Sequence, residues 1–285
     1  MVFVPTNDSV EIRDVWSSNL DSEFVSIREI TATHRYIGMD TEYPGVVIKP
    51  PDEHPRSNNV NFTNMIENVN ATKIIQLGLT FMNDQGFPPR FDGKYRVWQF
   101  NFREFDIEKD RYVPKSIDLV KRSGIDLNKN RNEGVDACEF SQLLMTCGAV
   151  LRDPAASDDS CKWLTFQGGF DFGYLLKMLR GEELRHDKEW FLELMNIYFG
   201  EWYDAKHVMM ERMPWPPDRR RRLDDLAWFF KINRVGQAHQ AGSDSLLTAC
   251  VFMAQKKMFL DPDGHSGADR YMRVLQDINN SKERE

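Results

Sequence analysis

The 285-residue sequence predicts an α/β domain, a mixed β-sheet flanked by α-helices. Three observations predict it. Strand-like apolar segments cluster in the first hundred residues, helical patterns dominate from Pro114 onward, and single short strands lie between the later helices. No internal repeat and no long linker divides the chain, so one domain over residues 1–285 is expected.

Residues 9–33 read as one amphipathic helix, because Ile12, Trp16, Leu20, Phe24 and Ile27 recur three or four apart, with Asn7, Asp8 and Ser9 as candidate caps. "YIGMDTE" (36–42) is the first strand. Residues 44–59, containing Pro and Asn, read as a surface loop. "KIIQLGLTFM" (73–82) and "RVWQFNF" (96–102) are strands joined by the turn-forming "NDQGFPPRFDGK", a spacing that suits an antiparallel meander. "SIDLVKRSG", "ACEFSQLLMTCG" and "DFGYLLKMLRG" are helices ended by Gly, and "DKEWFLELMNIYFG" is another. "KWLTFQ" is a short strand, and "WYDAKHVM" a strand running into a helical turn. "LDDLAWFFK" and "SDSLLTACVFMAQKKMFL" are helices, and the polar tail from about Asp261 is expected to be loose.

Composition narrows the function. The hydrophobic share of 41% supports a sizeable core, and 28% charged residues is ordinary for a globular chain. The start "MVFVPTNDSV" lacks the basic, apolar form of a secretory signal, and no apolar run approaches the ~20 residues of a membrane helix. Cys138, Cys147, Cys161 and Cys250 are scattered without a CxxC pair, which argues against a zinc knuckle or a disulfide framework and for a reducing compartment. The net charge of −7 argues against a protein that coats a nucleic-acid duplex through phosphates. Contact with nucleic acid would be local and helped by metal ions.

The chemistry-bearing residues sit at the ends of apolar elements. Asp40 and Glu42 are i and i+2 on a strand and share a face. Asp171 opens a helix after "TFQGGF", and Asp244 opens another five residues after His239. Each has an ordinary reading alone: a solvated strand end, helix caps, a structural histidine. Together they suggest more. Paired carboxylates near a core repel unless a cation lies between them, and a hard ion such as Mg²⁺ suits oxygen ligands. Four carboxylates suffice for two ions, which at ~3.5–4 Å separation hold the attacking and leaving oxygens of a phosphodiester. The imidazole of His239 is of the side-chain type that can take the proton of the attacking water.

This ordered set, Asp-x-Glu, Asp, His-x4-Asp, resembles the DEDDh class of 3′→5′ exonucleases. The blocks "MDTEYPG", "KIIQLGLTFMN", "WQFNF", "SGID", "LLM", "FDFGYLLK", "YDAKH" and "HQAGSDSLLT" resemble the CAF (carbon catabolite repressor-associated factor) family, the deadenylase subunits of the Ccr–Not complex, from about Ile12 to about Phe259. The resemblance implies an RNase H-like exonuclease fold. It implies Asp40, Glu42, Asp171 and Asp244 as ligands of two Mg²⁺ or Mn²⁺ ions and His239 as general base. It further implies removal of 5′-AMP from poly(A) RNA, partnership with a Not-type scaffold subunit and a Ccr-type nuclease, and residence in cytoplasm and nucleus; no membrane partner is expected, from the lack of a membrane-length apolar run. The other reading within the family is a non-catalytic scaffold bridging those two subunits. A chain that kept only that role would be expected to have lost at least one of the five residues, and all five are present.

Some positions depart from the family pattern. Tyr43 stands where Phe is usual and is expected at the cleft mouth, able to stack on a base. "TFQGGFDF" replaces a common "SFHSGYDF", placing Gln167, Gly168 and Phe170 beside the site, and predicts reduced rather than abolished activity. Arg219 to Arg222 form a basic run, read first as a solvated loop and second as an RNA-phosphate contact or import signal. Gln76, Gln167 and Lys206 join Tyr43 as candidate substrate contacts.

Overall fold

The computed structural model describes residues 3–49, 58–151, 160–213, 222–260 and 267–278. Its sheet runs β1 (Val10–Val15), β5 (Lys94–Asn101), β3 (Gln76–Met82), β2 (Tyr36–Glu42), β6 (Lys162–Thr165), β7 (Glu201–Asp204), with the two-residue β4 (Arg90–Phe91) paired to β5. β2, β3 and β5 form the expected antiparallel meander. β1 joins β5 in parallel, and β6 and β7 continue from β2 in parallel, so the sheet is mixed.

Ten α-helices are described: α1 (Leu20–Ile30), α2 (Asn58–Ala71), α3 (Pro114–Arg122), α4 (Leu127–Glu133), α5 (Ala137–Thr146), α6 (Gly169–Arg180), α7 (Lys188–Tyr198), α8 (Ala205–Arg212), α9 (Leu223–Phe230) and α10 (Ala241–Gln255). Alternation along the strands sorts them into two layers. Ile37, Met39, Leu77, Leu79, Trp98 and Phe100 face a core built with α1, α2, α5, α6 and α7. Tyr36, Met82, Val97, Leu164 and Tyr203 face the other, built with α8, α9 and α10.

Three expectations are corrected. Residues 9–33 are not one helix: Val10–Val15 is an edge strand paired to β5, and the helix begins at Leu20. Ile12 and Trp16 fall in phase with the helical stripe by coincidence. The break is made by Asn19, whose Oδ1 accepts from Trp16 N at 2.8 Å, and by Asp14, which takes amide protons from Gln99 and Asn101 on β5. The expected 44–59 loop gives way to α2 at Asn58. Its Asn-rich sequence has poor helix propensity, and the burial of Phe62, Met65, Ile66 and Val69 overrides it. The chain past Asp261 is not all loose: in 267–278, Leu275 and Ile278 are buried, and Arg273 N donates to Trp202 O at 2.9 Å.

α10 decides where the site can form. All fifteen of its residues are buried. It lies directly on β2 and β3 because Gly38 and Gly78 carry no side chain. A Cβ on Gly38 would fall 2.6 Å from Ser245 O, and one on Gly78 would fall 1.8 Å from Ala241 O. Thr80 Oγ1 and Ser245 Oγ meet at 3.0 Å beneath the helix. Gly78→Ala is therefore expected to lower stability by at least the upper end of the ~1–3 kcal/mol that overpacking costs. The shift in urea midpoint reads it, and an unchanged midpoint would mean the helix does not sit this close.

Candidate active site

β2 serves the site with three consecutive residues. Asp40 lies opposite Gly78 and Glu42 opposite Gln76, on the face that α10 covers. Thr41 points to the other face, where its Oγ1 donates to Asp171 Oδ1 at 2.5 Å. Asp171 comes from the first turn of α6 and Asp244 from the first turn of α10. The end of one central strand thus collects acids from helices on both sides of the sheet. His239 precedes α10 in a left-handed conformation (φ 63°). Its backbone N–H donates to Asp244 Oδ2 at 2.9 Å, and its side chain is exposed. Ligand atoms of Glu42, His239 and Asp244 lie within 4.8 Å of one another.

These carboxylates are costly as they stand. Burial, then the charge of Asp244 and Asp171, pushes Glu42 up to about 8. Burial raises Asp40 well above the carboxylate range, with Asp244, Asp171 and Glu42 adding to it. Burial lifts Asp171 to about 7 against the opposing Thr41 hydrogen bond. Asp244 is raised by burial and held back by Arg234. Arg234 donates to Asp244 Oδ1, to Ser243 Oγ at 3.1 Å and to Asp224 Oδ1 at 2.8 Å. One guanidinium offsets only part of four negative charges. An all-oxygen set of this kind, with a neighbouring imidazole, fits hard divalent cations.

The remaining sequence candidates are placed differently. Tyr43 does not offer an open ring face: it stacks on Phe170 at 5.0 Å and 9° and lies 5.2 Å from the Tyr174 ring. The two aromatic departures from the family pattern are therefore one contact. Gln76 is 2% exposed and fully engaged, donating to Asn101 Oδ1 at 2.6 Å and accepting from Ala241 N at 3.2 Å, so it braces α10 rather than facing a cleft. Gln167, exposed at φ 65°, accepts from Lys206 Nζ, which also lies 5.7 Å from the Phe166 ring centroid. That pair flanks the entry to α6. Arg222 begins α9, while Arg219 to Arg221 lie outside the described residues.

Sequence reasoning missed Thr41, Arg234 and Asp277. Asp277 accepts from Gly169 N at the start of α6, and burial pushes it up to about 7. Thr41 was readable in principle, since it lies between two named acids on a strand. Arg234 and Asp277 carry no local pattern.

A mixed sheet of this order, with acids gathered at the end of its central strand, defines a metal-dependent nuclease of the RNase H-like class. The chain belongs to the CAF1 family of ribonucleases, whose family model matches residues 15–144. It is 42% identical over 255 residues to a probable CCR4-associated factor 1 homolog of Arabidopsis thaliana, covering 89% of each chain. It is 37% identical over 250 residues to the poly(A) ribonuclease pop2 of Schizosaccharomyces pombe, covering 88% of this chain and 70% of that one. The structure of S. pombe Pop2p in its Mg²⁺- and Mn²⁺-bound form matches with a TM-score of 0.81 at 34% identity, over 93% of this chain and 99% of that one. A structure of the yeast NOT1 MIF4G domain co-crystallised with CAF1 matches with a TM-score of 0.74 at 29% identity, over 96% and 99%.

The electrostatics predict a pH dependence. Glu42 and Asp171 hold protons in the folded, metal-free protein that the unfolded chain has released, so raising the pH favours unfolding. In EDTA the melting temperature is expected to fall between the ordinary carboxylate value of about 4 and the value of about 8 for Glu42. Arg234→Gln removes the offsetting cation and enlarges the fall, and Mg²⁺ flattens it in both proteins. Melting curves across pH, with and without Mg²⁺, check this. A melting temperature that rises with pH in EDTA would contradict it.

Proposed function

We propose that this protein is a poly(A)-specific 3′→5′ exoribonuclease, an mRNA deadenylase that releases 5′-AMP within a Ccr–Not-type complex. The observation that carries the reading is the meeting of Asp40, Glu42, Asp171 and Asp244 at the end of β2 with His239 on the rim. The S. pombe relative named as a poly(A) ribonuclease and its Mg²⁺- and Mn²⁺-bound structure support it.

The four carboxylates would hold two divalent ions, Mg²⁺ or Mn²⁺, which supply charge neutralisation for the phosphodiester. The protein's own residues do the rest. Thr41 fixes Asp171 and leaves its other oxygen for an ion. The exposed His239 imidazole accepts the proton of the attacking water. Water oxygen bonds to phosphorus as its proton passes to His239, the P–O3′ bond breaks, the new 3′ oxygen takes up a proton from solvent, and the terminal adenosine leaves with its 5′-phosphate. Gln167, exposed at the entry to α6, and Lys206, half-buried beside it, are the substrate contacts we infer.

A Not-type scaffold subunit is the partner we infer, by analogy with yeast CAF1 and NOT1, and a Ccr-type nuclease the second. Among the described residues no helix is long and apolar enough to cross a membrane. All four cysteines are free thiols, which supports work in the cytoplasm and nucleus.

A time course on 5′-labelled RNA ending in a run of A tests the activity. With Mg²⁺ the expected ladder shortens from the 3′ end and stops at the non-A body, and EDTA abolishes it. Asp40→Ala is expected to cost more than the ~10–100-fold typical of losing an outer partner of a metal ligand. Intact RNA with wild-type protein in both Mg²⁺ and Mn²⁺ would overturn the reading and leave the scaffold role.

A further inference from the structure

The described helices start in several ways: α1 and α3 have no side-chain cap, and α9 starts on the capping box of Arg222 and Asp225. α4, α5, α7 and α8 each carry their own Asp cap: Asp126, Asp136, Asp187 and Asp204 accept from backbone N–H groups two or three residues ahead. The two helices that carry Asp171 and Asp244 do not. α6 follows Gly168 and α10 follows Gln240, and neither makes a side-chain cap.

Their first N–H groups are met from elsewhere. At α6, Gly169 N donates to both oxygens of Asp277, at 3.1 and 3.3 Å. Gly169 leaves room for this, since a Cβ there would fall 2.5 Å from Asp277 Oδ2. Asp277 is brought in by the packed 267–278 segment, which is tied to the sheet by Arg273 N to Trp202 O and by Gln276 N to Asp204 Oδ2, both 2.9 Å. At α10, Ala241 N donates to Gln76 Oε1 at 3.2 Å and Gly242 N to Gln99 Oε1 at 3.0 Å. These glutamines are 2% and 3% exposed and are themselves held: Gln76 donates to Asn101, and Gln99 and Asn101 both donate to Asp14 Oδ1.

We propose that α6 and α10 are capped in trans, by Asp277 and by Gln76 with Gln99, and that these three side chains are positioning residues for the metal site. The physical reason is positional. A local cap satisfies the free N–H groups of a helix but moves with it. A cap delivered from the sheet, or from a segment fastened to it, satisfies the same groups and fixes the helix end against β2. Asp171 is three residues past Gly168 and Asp244 four past Gln240, so each ligand sits in the turn that is pinned. Small displacements of metal ligands are costly in affinity, which gives the arrangement its function.

This inference rests on the carboxylates binding metal as proposed above, and the test separates the two. Mn²⁺ binding to the full chain is measured by electron paramagnetic resonance for wild type, Asp277→Ala, Asp277→Asn, Gln99→Met and Leu275→Ala. Melting temperature and deadenylation kcat and KM are measured alongside. Asp277→Ala and Gln99→Met are expected to weaken Mn²⁺ binding at least about tenfold, as outer partners of metal ligands do, and to lower kcat with little change in KM. Asp277→Asn keeps an acceptor for Gly169 N and restores affinity. Leu275→Ala loosens the packing of the same segment with the cap retained, so it lowers the melting temperature but not Mn²⁺ affinity. Wild-type affinity in Asp277→Ala and Gln99→Met would overturn the proposal. So would an equal loss of affinity in Leu275→Ala at an equal loss of melting temperature. Wild type that binds no Mn²⁺ would remove the metal reading, and this proposal with it.

Discussion

Mutual repulsion among four carboxylates, Asp171 and Asp244 buried and Asp40 and Glu42 half-buried, is the constraint around which this fold is arranged. Asp40, Glu42, Asp171 and Asp244 are all raised by burial, and Thr41 at Asp171 and Arg234 at Asp244 offset only part of it. Left to local preference, such groups would separate or reach water. They stay together because each is mounted on an element packed for other reasons. β2 is a central strand with apolar residues before its acids, α10 is buried along its whole length, and α6 is anchored by Phe172, Tyr174, Leu175 and Leu176. The stability of the cores offsets the strain at the site, and a bound cation would relieve it.

Close approach is the second requirement, and glycine meets it at two positions. Without Gly38 and Gly78 the first turn of α10 would stand off the sheet by a side chain's width, and Asp244 would be carried away from Asp40 and Glu42. The alternation of β2 then divides the work: Asp40 and Glu42 face α10, while Thr41 reaches through to Asp171 on the opposite layer. Arg234 spans Asp224 on α9 and Asp244 on α10, so the partial counter-charge is also a link between two helices.

Much of this was legible in the sequence, for physical reasons that can be named. The period-2 rule put Asp40 and Glu42 on one face before any coordinates. Glycine stops such as Gly181, which adopts φ 67° after α6, marked helix ends correctly. The meander was readable from the short, turn-rich spacing between β3 and β5. Failures came where local and tertiary signals disagree. Ile12 and Trp16 fit a helical stripe, yet β5 offered Val10–Val15 an open edge to pair with. The expected loop to Asn59 overlaps only the start of α2, and the rest of that Asn-rich helix carried no clear signal, its four buried apolar residues holding it helical. Gln76 looked like a strand-edge amide near a cleft, and only the docking of α10 shows that both its ends are used. Arg234 and Asp277 act through contacts with no local pattern, Asp277 reaching Gly169 across more than a hundred residues.

The central claim is that these acids form a two-ion site. A crystal of the protein soaked in Mn²⁺ and measured at the manganese absorption edge tests it most directly. The account predicts two anomalous peaks about 3.5–4 Å apart, bounded by Asp40, Glu42, Asp171 and Asp244, with His239 beside them. Peaks bounded by other residues, or none at the end of β2 while Arg234 still holds Asp244, would contradict it.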